Sequence, residues 1–566
     1  MKYRNYPVEC YQDLKQMLRK VVGDAPDRTA FLQKVDGVYH ACRYGKYYAD
    51  VNGLGTALTQ LGLRGSRVLL VGKNCYEWAV SFMAVVCGVG TVVPVNGDLG
   101  AEDLLELARY AEADAVICAD GLSAVFSSAE KPLRVISFSM LKDLVRRGRE
   151  QIKAGDRGYV DCVIDPDAMC AILFSSGTGG KMRGVMLSHR NLCFSVSEAC
   201  RMVWITDADV FLSVLPMHHV YECVCGFLCP LSRGSAVAFS EGLEQIGRNL
   251  REVNPTVMLC IPAILEGMYR RVWEQIRAHG AEARVKRIVD VTNALPNPKL
   301  CMAAKQKSFA PLHKVFGGKL RLILSGGAAA SAEAVRGFRD LGIPVLQGYG
   351  VTECASVVAL NRDTCYCDEA AGMATPNALL DIANMQEDGI GEIRYRGDSV
   401  MIGYYRMPKR TAEVIRDGWF YTGDLGYFDE DGFLHVVGRA QNVIALSDGR
   451  KILPEEIEAL LCRSPYVKEA VVISHRQEEK GDPMPAAVLY PDRERIAEAY
   501  GEDGWRRQAE ILMRRAVAET NGALPSYKRI GAFEVRWRPF PKTATGKIKR
   551  GGLAELYADC FGGKES

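Results

Sequence analysis

The segment Ala171-Ile-Leu-Phe-Ser-Ser-Gly-Thr-Gly-Gly-Lys-Met-Arg-Gly184 joins an apolar run to four glycines, three hydroxyls and two cations, and an apolar-polar stretch opens behind it at Val185. The pattern predicts strand, glycine loop, helix. Glycines let the backbone turn with its N–H groups inward, and such a nest binds phosphate oxygens. Ser175, Ser176 and Thr178 add hydroxyl donors, and Lys181 and Arg183 add positive charge. The loop is not a Walker A sequence: the first glycine of that pattern falls on Ser175, and Met182 replaces its Ser/Thr. Alone, it reads equally well as a polar surface turn.

Working outward, 566 residues exceed one hydrophobic core, so at least two domains are expected. A net charge of +3 without a long single-sign block gives nucleic-acid binding little support. Nineteen scattered cysteines fit thiols in a reducing cytoplasm. The uncharged stretch 78–97 is long enough for a bilayer, but Gly88 and Gly90 split it into a helical half and a β-branched half. It therefore reads as a buried helix feeding a buried strand. His218-His-Val-Tyr-Glu-Cys-Val-Cys-Gly-Phe-Leu-Cys229 offers metal ligands, yet its cysteines read better as small core hydrophobes.

Strand-like runs alternate with helical patterns, as in Tyr47 to Leu61 (helix), Arg67 to Val71, Ala115 to Cys118, Val210 to Val214, Val257 to Cys260 and Leu320 to Leu324 (strands). That alternation implies βαβ units and parallel sheets. From Gly391 the texture becomes short strands and turns, predicting a small antiparallel, barrel-like region. After Arg439 a compact α+β unit begins, with helices at Pro454 to Cys462 and Trp505 to Asn521. The expected division is 1–439 and 440–566.

The glycine loop resembles the Ser-Gly-Thr-Thr-Gly-x-Pro-Lys-Gly signature of the adenylate-forming (AMP-binding) superfamily, which includes acyl-CoA synthetases, luciferases and peptide-synthetase adenylation domains. Gln347-Gly-Tyr-Gly-Val-Thr-Glu353, Gly418-Trp-Phe-Tyr-Thr-Gly-Asp424, Gly438-Arg-Ala-Gln-Asn442 and Pro541-Lys-Thr-Ala-Thr-Gly-Lys547 follow in the order of that family. The resemblance covers nearly the whole chain. It implies a large α/β region joined by a hinge near Ala440-Gln441 to a mobile C-terminal lid.

The resemblance also implies an ATP, Mg²⁺ and CoA chemistry with named parts. Ser175, Ser176, Gly177, Thr178, Gly179, Gly180 and Lys181 would embrace the β- and γ-phosphates. Tyr349, with Gln347, Gly348 and Gly350, would meet adenine, and Gly326, Gly327 and Ala328 would line its other side. Thr352 would bond the α-phosphate, and Glu353 with Thr178 would hold Mg²⁺. Asp424 would accept the ribose hydroxyls, supported by Arg439. Lys547 would bridge carboxylate and α-phosphate during adenylation. The turn Ser447, Gly449, Arg450 would present itself to the thiol acceptor after the lid rotates. His219 matches a histidine at the acyl-pocket mouth, with a satisfied buried histidine as the alternative.

The loop departs from the family at Gly179, Met182 and Arg183; the lost hydroxyl and proline predict a looser grip on pyrophosphate, while Arg183 keeps the charge. The stretches Asn442 to Glu458 and Leu215-Pro-Met-His-His-Val-Tyr-Glu222 resemble the long-chain acyl-CoA synthetase branch. The expected substrate is thus a medium- or long-chain fatty acid, with CoA as acceptor. A carrier protein acting in trans, an aryl acid, or a non-catalytic nucleotide- or acyl-binding role are the alternatives. No nucleic-acid partner or integral membrane segment is expected; loose peripheral membrane association is compatible with the sequence.

Overall fold

The computed structural model describes residues 5–129, 132–176, 182–448, 450–476, 483–542, 548–550, 552–553 and 556–557. Two mixed sheets dominate. The first has seven strands, in the order Gly403–Tyr404, Met182–Ser188, Met169–Ser176, Gly90–Val95, Ser66–Val71, Ala115–Cys118, Arg134–Ser137. From Met169–Ser176 onward its neighbours are parallel. Ala115–Cys118 and all but one residue of Gly90–Val95 are buried, as strands covered on both faces require. The second sheet has nine strands, its parallel centre built from Val345–Val351, Leu322–Ser325, Val257–Cys260, Val210–Ser213, Ala236–Phe239 and Thr29–Val35. Antiparallel partners close both flanks: Val38–Arg43 at one end, Ser356–Leu360 and Met373–Ala374 at the other.

The uncharged stretch at 78–97 folds as expected. Helix Tyr76–Ala84 runs into a π-helical turn, Val85–Val89, and then strand Gly90–Val95. Gly88 has φ 149°, and a Cβ on Gly90 would lie 2.2 Å from the Ser66 carbonyl oxygen, so only glycine permits this bend. Among the described residues no helix is long and apolar enough to cross a membrane.

One expectation is corrected at the glycine loop. Met182–Ser188 is not the start of a helix but a strand, paired antiparallel with Met169–Ser176 in the register Phe174 to Gly184 and Ser175 to Arg183. Val185 and Leu187 are buried there and Met186 between them is half-buried, with Gly184 and Ser188 buried on either side. The helix waits until His189–Met202, where Ser188 and Asn191 form a reciprocal capping box. The loop therefore connects two strands, and no helix dipole backs it.

The antiparallel region is a five-stranded sheet, Leu379–Ala383, Gly391–Arg396, Trp419–Phe428, Ile415–Arg416 and Leu434–Arg439. No ladder closes it into a barrel among the described residues. Beyond it, Val467–His475, Met484–Pro491 and Ala532–Val535 form a three-stranded sheet. Helices Pro454–Leu461 and Trp505–Ala523 cover this sheet through a separate apolar cluster that includes Ile457, Leu461, Leu489 and Met513.

Candidate active site

Four of the sequence motifs meet where the two large sheets and the five-stranded sheet adjoin. Strand Val345–Val351 delivers Tyr349, and a short 3-10 turn, Thr352–Cys354, carries Glu353. Behind Glu353 the chain reverses through Ala355 and Ser356, both at positive φ (50° and 97°). Strain of that kind persists only where surrounding structure enforces it. The reversal brings Ser356 so close that a Cβ on Gly350 would lie 1.5 Å from its carbonyl oxygen, which accounts for one glycine of Gln347-Gly-Tyr-Gly350.

Glu353 Oε1 accepts hydrogen bonds from Ser175 Oγ at 3.3 Å and Tyr404 OH at 2.8 Å. Its second oxygen accepts none from a described residue, leaving a carboxylate oxygen for a hard cation. Tyr404 arrives on the edge strand Gly403–Tyr404, whose neighbours lock onto the hairpin through Tyr405 N to Gly184 O and Ile402 N to Met186 O. Met401 N in turn donates to the Glu353 carbonyl at 2.8 Å. Burial, then the Glu353 charge, pushes the Tyr404 phenol well up. The Arg183 guanidinium lies 5.7 Å from the centre of its ring. Sequence reading missed Tyr404 because its role depends on a pairing between residues more than two hundred apart.

Asp424 sits buried on strand Trp419–Phe428. Tyr349 OH donates to its Oδ2 at 2.6 Å, and Arg439 Nε meets its Oδ1 at 2.9 Å. Asp424 and Arg439 are register partners across the hairpin, so two motifs fifteen residues apart become one constellation. Each carboxylate oxygen retains a second lone pair for a ligand hydroxyl. Tyr349→Phe is expected to cost about 2 kcal/mol in chemical unfolding, the scale of a hydrogen bond to a charged group. An unchanged unfolding midpoint would show the bond to be energetically silent.

Gln347 is buried, and its amide is taken by Ala330 N (2.8 Å) and Asp368 O (2.6 Å), so it builds a wall. Gly326 packs against the Tyr221 ring, where a Cβ would come within 2.9 Å; Gly327 has φ 86°, and Ala328 is exposed at the turn. Thr352 is half-buried beside Glu353, and Gly348 is covered by Leu360. An apolar cavity of about 70 Å³ opens between Val203, Tyr221, Cys225, Leu324, Tyr349 and Leu360. No charged side chain lines it.

His219 is half-buried, its ring 4.5 Å from that of His218. Burial lowers it to about 4 and, with the neighbouring His219, lowers His218 to about 3, so both rings are neutral at physiological pH. His219 does not line the cavity; its successors Val220 and Tyr221 do. Beneath this segment lies Glu222, a group not foreseen: fully buried, with Oε1 accepting from Ser213 Oγ at 2.6 Å. Asn74 donates to Ser213 Oγ (2.9 Å) and Leu215 O (2.7 Å) and accepts from Met217 N (2.9 Å), clamping the whole stretch. Burial pushes Glu222 up to about 8.

Of the remaining expected residues, Gly177, Thr178, Gly179, Gly180, Lys181, Gly449 and Lys547 lie outside the described residues, as does the Ser176 side chain. Arg450 is engaged locally, by Asp448 and by the face of Tyr527 at 4.4 Å. Ser447 lies in the same exposed turn.

Comparison with known proteins gives this geometry its family. The model for "AMP-binding enzyme" matches residues 18–405, and that for "AMP-binding enzyme C-terminal domain" matches 441–561. Fatty acyl-CoA synthetase B of Dictyostelium discoideum is 27% identical over 510 residues, 82% of this chain and 74% of its own. Long chain acyl-CoA synthetase 1 of Arabidopsis thaliana is 27% identical over 584 residues, 92% of this chain and 87% of its own. The crystal structure of the anthranilate CoA ligase AuaEII with anthranoyl-AMP superimposes with a TM-score of 0.74 at 19% identity, covering 98% of each chain. The chain thus belongs to the AMP-binding enzymes, and it is an adenylate-forming acid–thiol ligase of the acyl-CoA synthetase kind, using ATP, CoA and a small-molecule carboxylic acid.

Proposed function

We propose that the enzyme activates a medium- or long-chain fatty acid and passes the acyl group to CoA. The carrying observation is the charge-free cavity that ends against Tyr349, between Gly326 and the Glu353 turn. A dicarboxylic acid would bury a second charge there without a partner, at heavy cost. The names of the two relatives, a fatty acyl-CoA and a long chain acyl-CoA synthetase, support an alkyl acid. In this conformation the cavity holds only a few methylenes, so a long chain requires Val203, Cys225 and Cys229 to give way.

The acid's carboxylate attacks the α-phosphate of ATP, the bond to pyrophosphate breaks, and an acyl-adenylate remains. In this scheme Ser175 to Gly184 holds the departing phosphates, Thr352 the α-phosphate, Tyr349 the adenine, and Asp424 with Arg439 the ribose. Glu353 would hold Mg²⁺, which offsets the phosphate charge. Lys547 brings its ammonium to the carboxylate and α-phosphate oxygens. Such placement before reaction lowers the barrier between two anions. The thiolate of CoA then attacks the acyl carbon and AMP leaves. Between these steps residues 440–566 rotate as a lid about Gln441, replacing Lys547 by the Ser447 to Lys451 turn. A reducing cytoplasm suits the described cysteines, all free thiols.

An aryl acid is the second reading, favoured by the fold shared with the anthranilate ligase. Pyrophosphate release across acids from acetate to stearate and benzoates, with and without CoA, separates them. A maximum at fatty acids with acyl-CoA formed supports the proposal; a maximum at benzoates replaces it. Pyrophosphate without thioester transfers the acceptor role to a carrier protein.

A further inference from the structure

A second cluster of ligating side chains stands on the outer end of the hairpin that carries Asp424 and Arg439. Cys367 Sγ, Asp429 Oδ2 and His435 Nε2 belong to three half-buried residues whose ligand atoms all lie within 4.8 Å of one another. His435 Nε2 and Asp429 Oδ2 are 3.0 Å apart. From this juxtaposition we propose that Cys367, Asp429 and His435 bind one divalent transition-metal ion of the zinc class, stapling the 361–372 loop to the hairpin.

Each donor is held in place by its own scaffold. Asp429 Oδ1 accepts from the backbone N–H groups of Asp431 (3.1 Å) and Phe433 (2.8 Å), which aims Oδ2 away from the turn. The His435 ring stacks flat on Tyr427, its register partner, at 4.8 Å and 6°. Cys367 is set by its backbone N–H, which donates to Asn361 Oδ1 at 2.8 Å. Its loop is docked on the hairpin strand by Ala371 N to Leu434 O and Leu434 N to Gly372 O, both 2.8 Å.

The donor set selects the ion. One thiolate, one imidazole and one carboxylate suit zinc or its neighbours, whereas Mg²⁺ and Ca²⁺ prefer oxygen alone. Tetrahedral bonds of about 2.0–2.3 Å place the ligand atoms about 3.4–3.6 Å apart. The present spread reaches that geometry when Cys367 closes by about 1 Å and the His435–Asp429 contact opens slightly. Binding releases the Cys367 thiol proton to solvent, and two anionic ligands then neutralise the dication. Water completes the fourth position. Because the loop also fastens Gln347, through Asp368 O and through Asn361 Nδ2 to Gln347 O, the ion would stiffen the wall beside Tyr349.

The test uses the full chain, stripped with chelator and titrated with Co²⁺ under reducing conditions. We expect a thiolate-to-cobalt absorption band that saturates at one ion per chain and is displaced by Zn²⁺. Cys367→Ser should abolish that band, and His435→Gln should weaken binding at least about tenfold. Cys365→Ser, the neighbouring thiol, should leave both unchanged. No saturable band, or a band that survives Cys367→Ser, overturns the site. A band lost on Cys365→Ser but kept in Cys367→Ser overturns the ligand assignment. If Cys367→Ser fails to fold by circular dichroism, Asp429→Asn carries the same test, and unaltered Co²⁺ affinity there also overturns it.

Discussion

Glu353→Gln is expected to slow pyrophosphate release about 10²–10³-fold while the protein stays folded. The amide oxygen of glutamine can still accept from Ser175 and Tyr404, so the local hydrogen bonds survive. What disappears is the negative charge that our reading assigns to the cation beside the reacting phosphates. Removing one preorganised electrostatic partner from a reacting centre typically costs about 2.7–4 kcal/mol. A purely architectural Glu353 predicts the opposite pattern: small kinetic change, lowered stability. The informative measurement is therefore paired, single-turnover adenylation beside thermal unfolding. Thioester formation from supplied acyl-adenylate and CoA should be spared, because that half-reaction releases no pyrophosphate. Adenylation within a few-fold of wild type would remove Glu353 from the chemistry.

Glu222→Gln should abolish a steep loss of stability between pH 5 and pH 8. Burial raises Glu222 from 4.5 to about 8, so over that interval the unfolded chain gives up its proton while the folded chain keeps it. The unfolded state is favoured accordingly, and folded stability falls by about 1.4 kcal/mol per pH unit. The contribution is fully present below pH 4.5 and gone above about 8. Glutamine has the same shape and never charges. The variant should resemble wild type at pH 5, less a small amide mismatch opposite the unpartnered Oε2, and exceed it by several kcal/mol at pH 8.5. Gly226 makes room for this carboxyl, since a Cβ there would fall 2.5 Å from Glu222 Cδ; larger replacements are therefore excluded as controls. Urea unfolding at the two pH values decides it, and parallel pH dependence in both proteins would mean that Glu222 ionises in the fold as it does in water.

Much of the framework was legible along the chain. Val257–Cys260, Ala115–Cys118 and Gly391–Arg396 fall where apolar runs and alternation put them, because strands buried on two faces must be apolar throughout and those on one face must alternate. The stretch after the glycine loop misled, because Gly184-Val-Met-Leu-Ser188 is too short for periodicity to separate strand from helix. The capping pair Ser188 and Asn191 was the available sign that the helix begins later.

The site divides along the same line. The resemblance of the motifs to the adenylate-forming family named Tyr349, Glu353, Asp424 and Arg439 as candidates without any coordinates. Their partnerships needed the tertiary structure. Tyr404 reaches Glu353 only because an edge strand from residue 403 pairs with the hairpin, and the engagement of the Gln347 amide is seen only when Ala330 and Asp368 are placed on it. The shift of Glu222 is likewise invisible in sequence, because a carboxyl's proton affinity depends on water excluded by residues far along the chain. Sequence motifs and local pattern determined by themselves the family, most of the strand framework and the candidate reactive groups; long-range packing decided which of those groups touch, which are already satisfied, and which are held in the uncharged state.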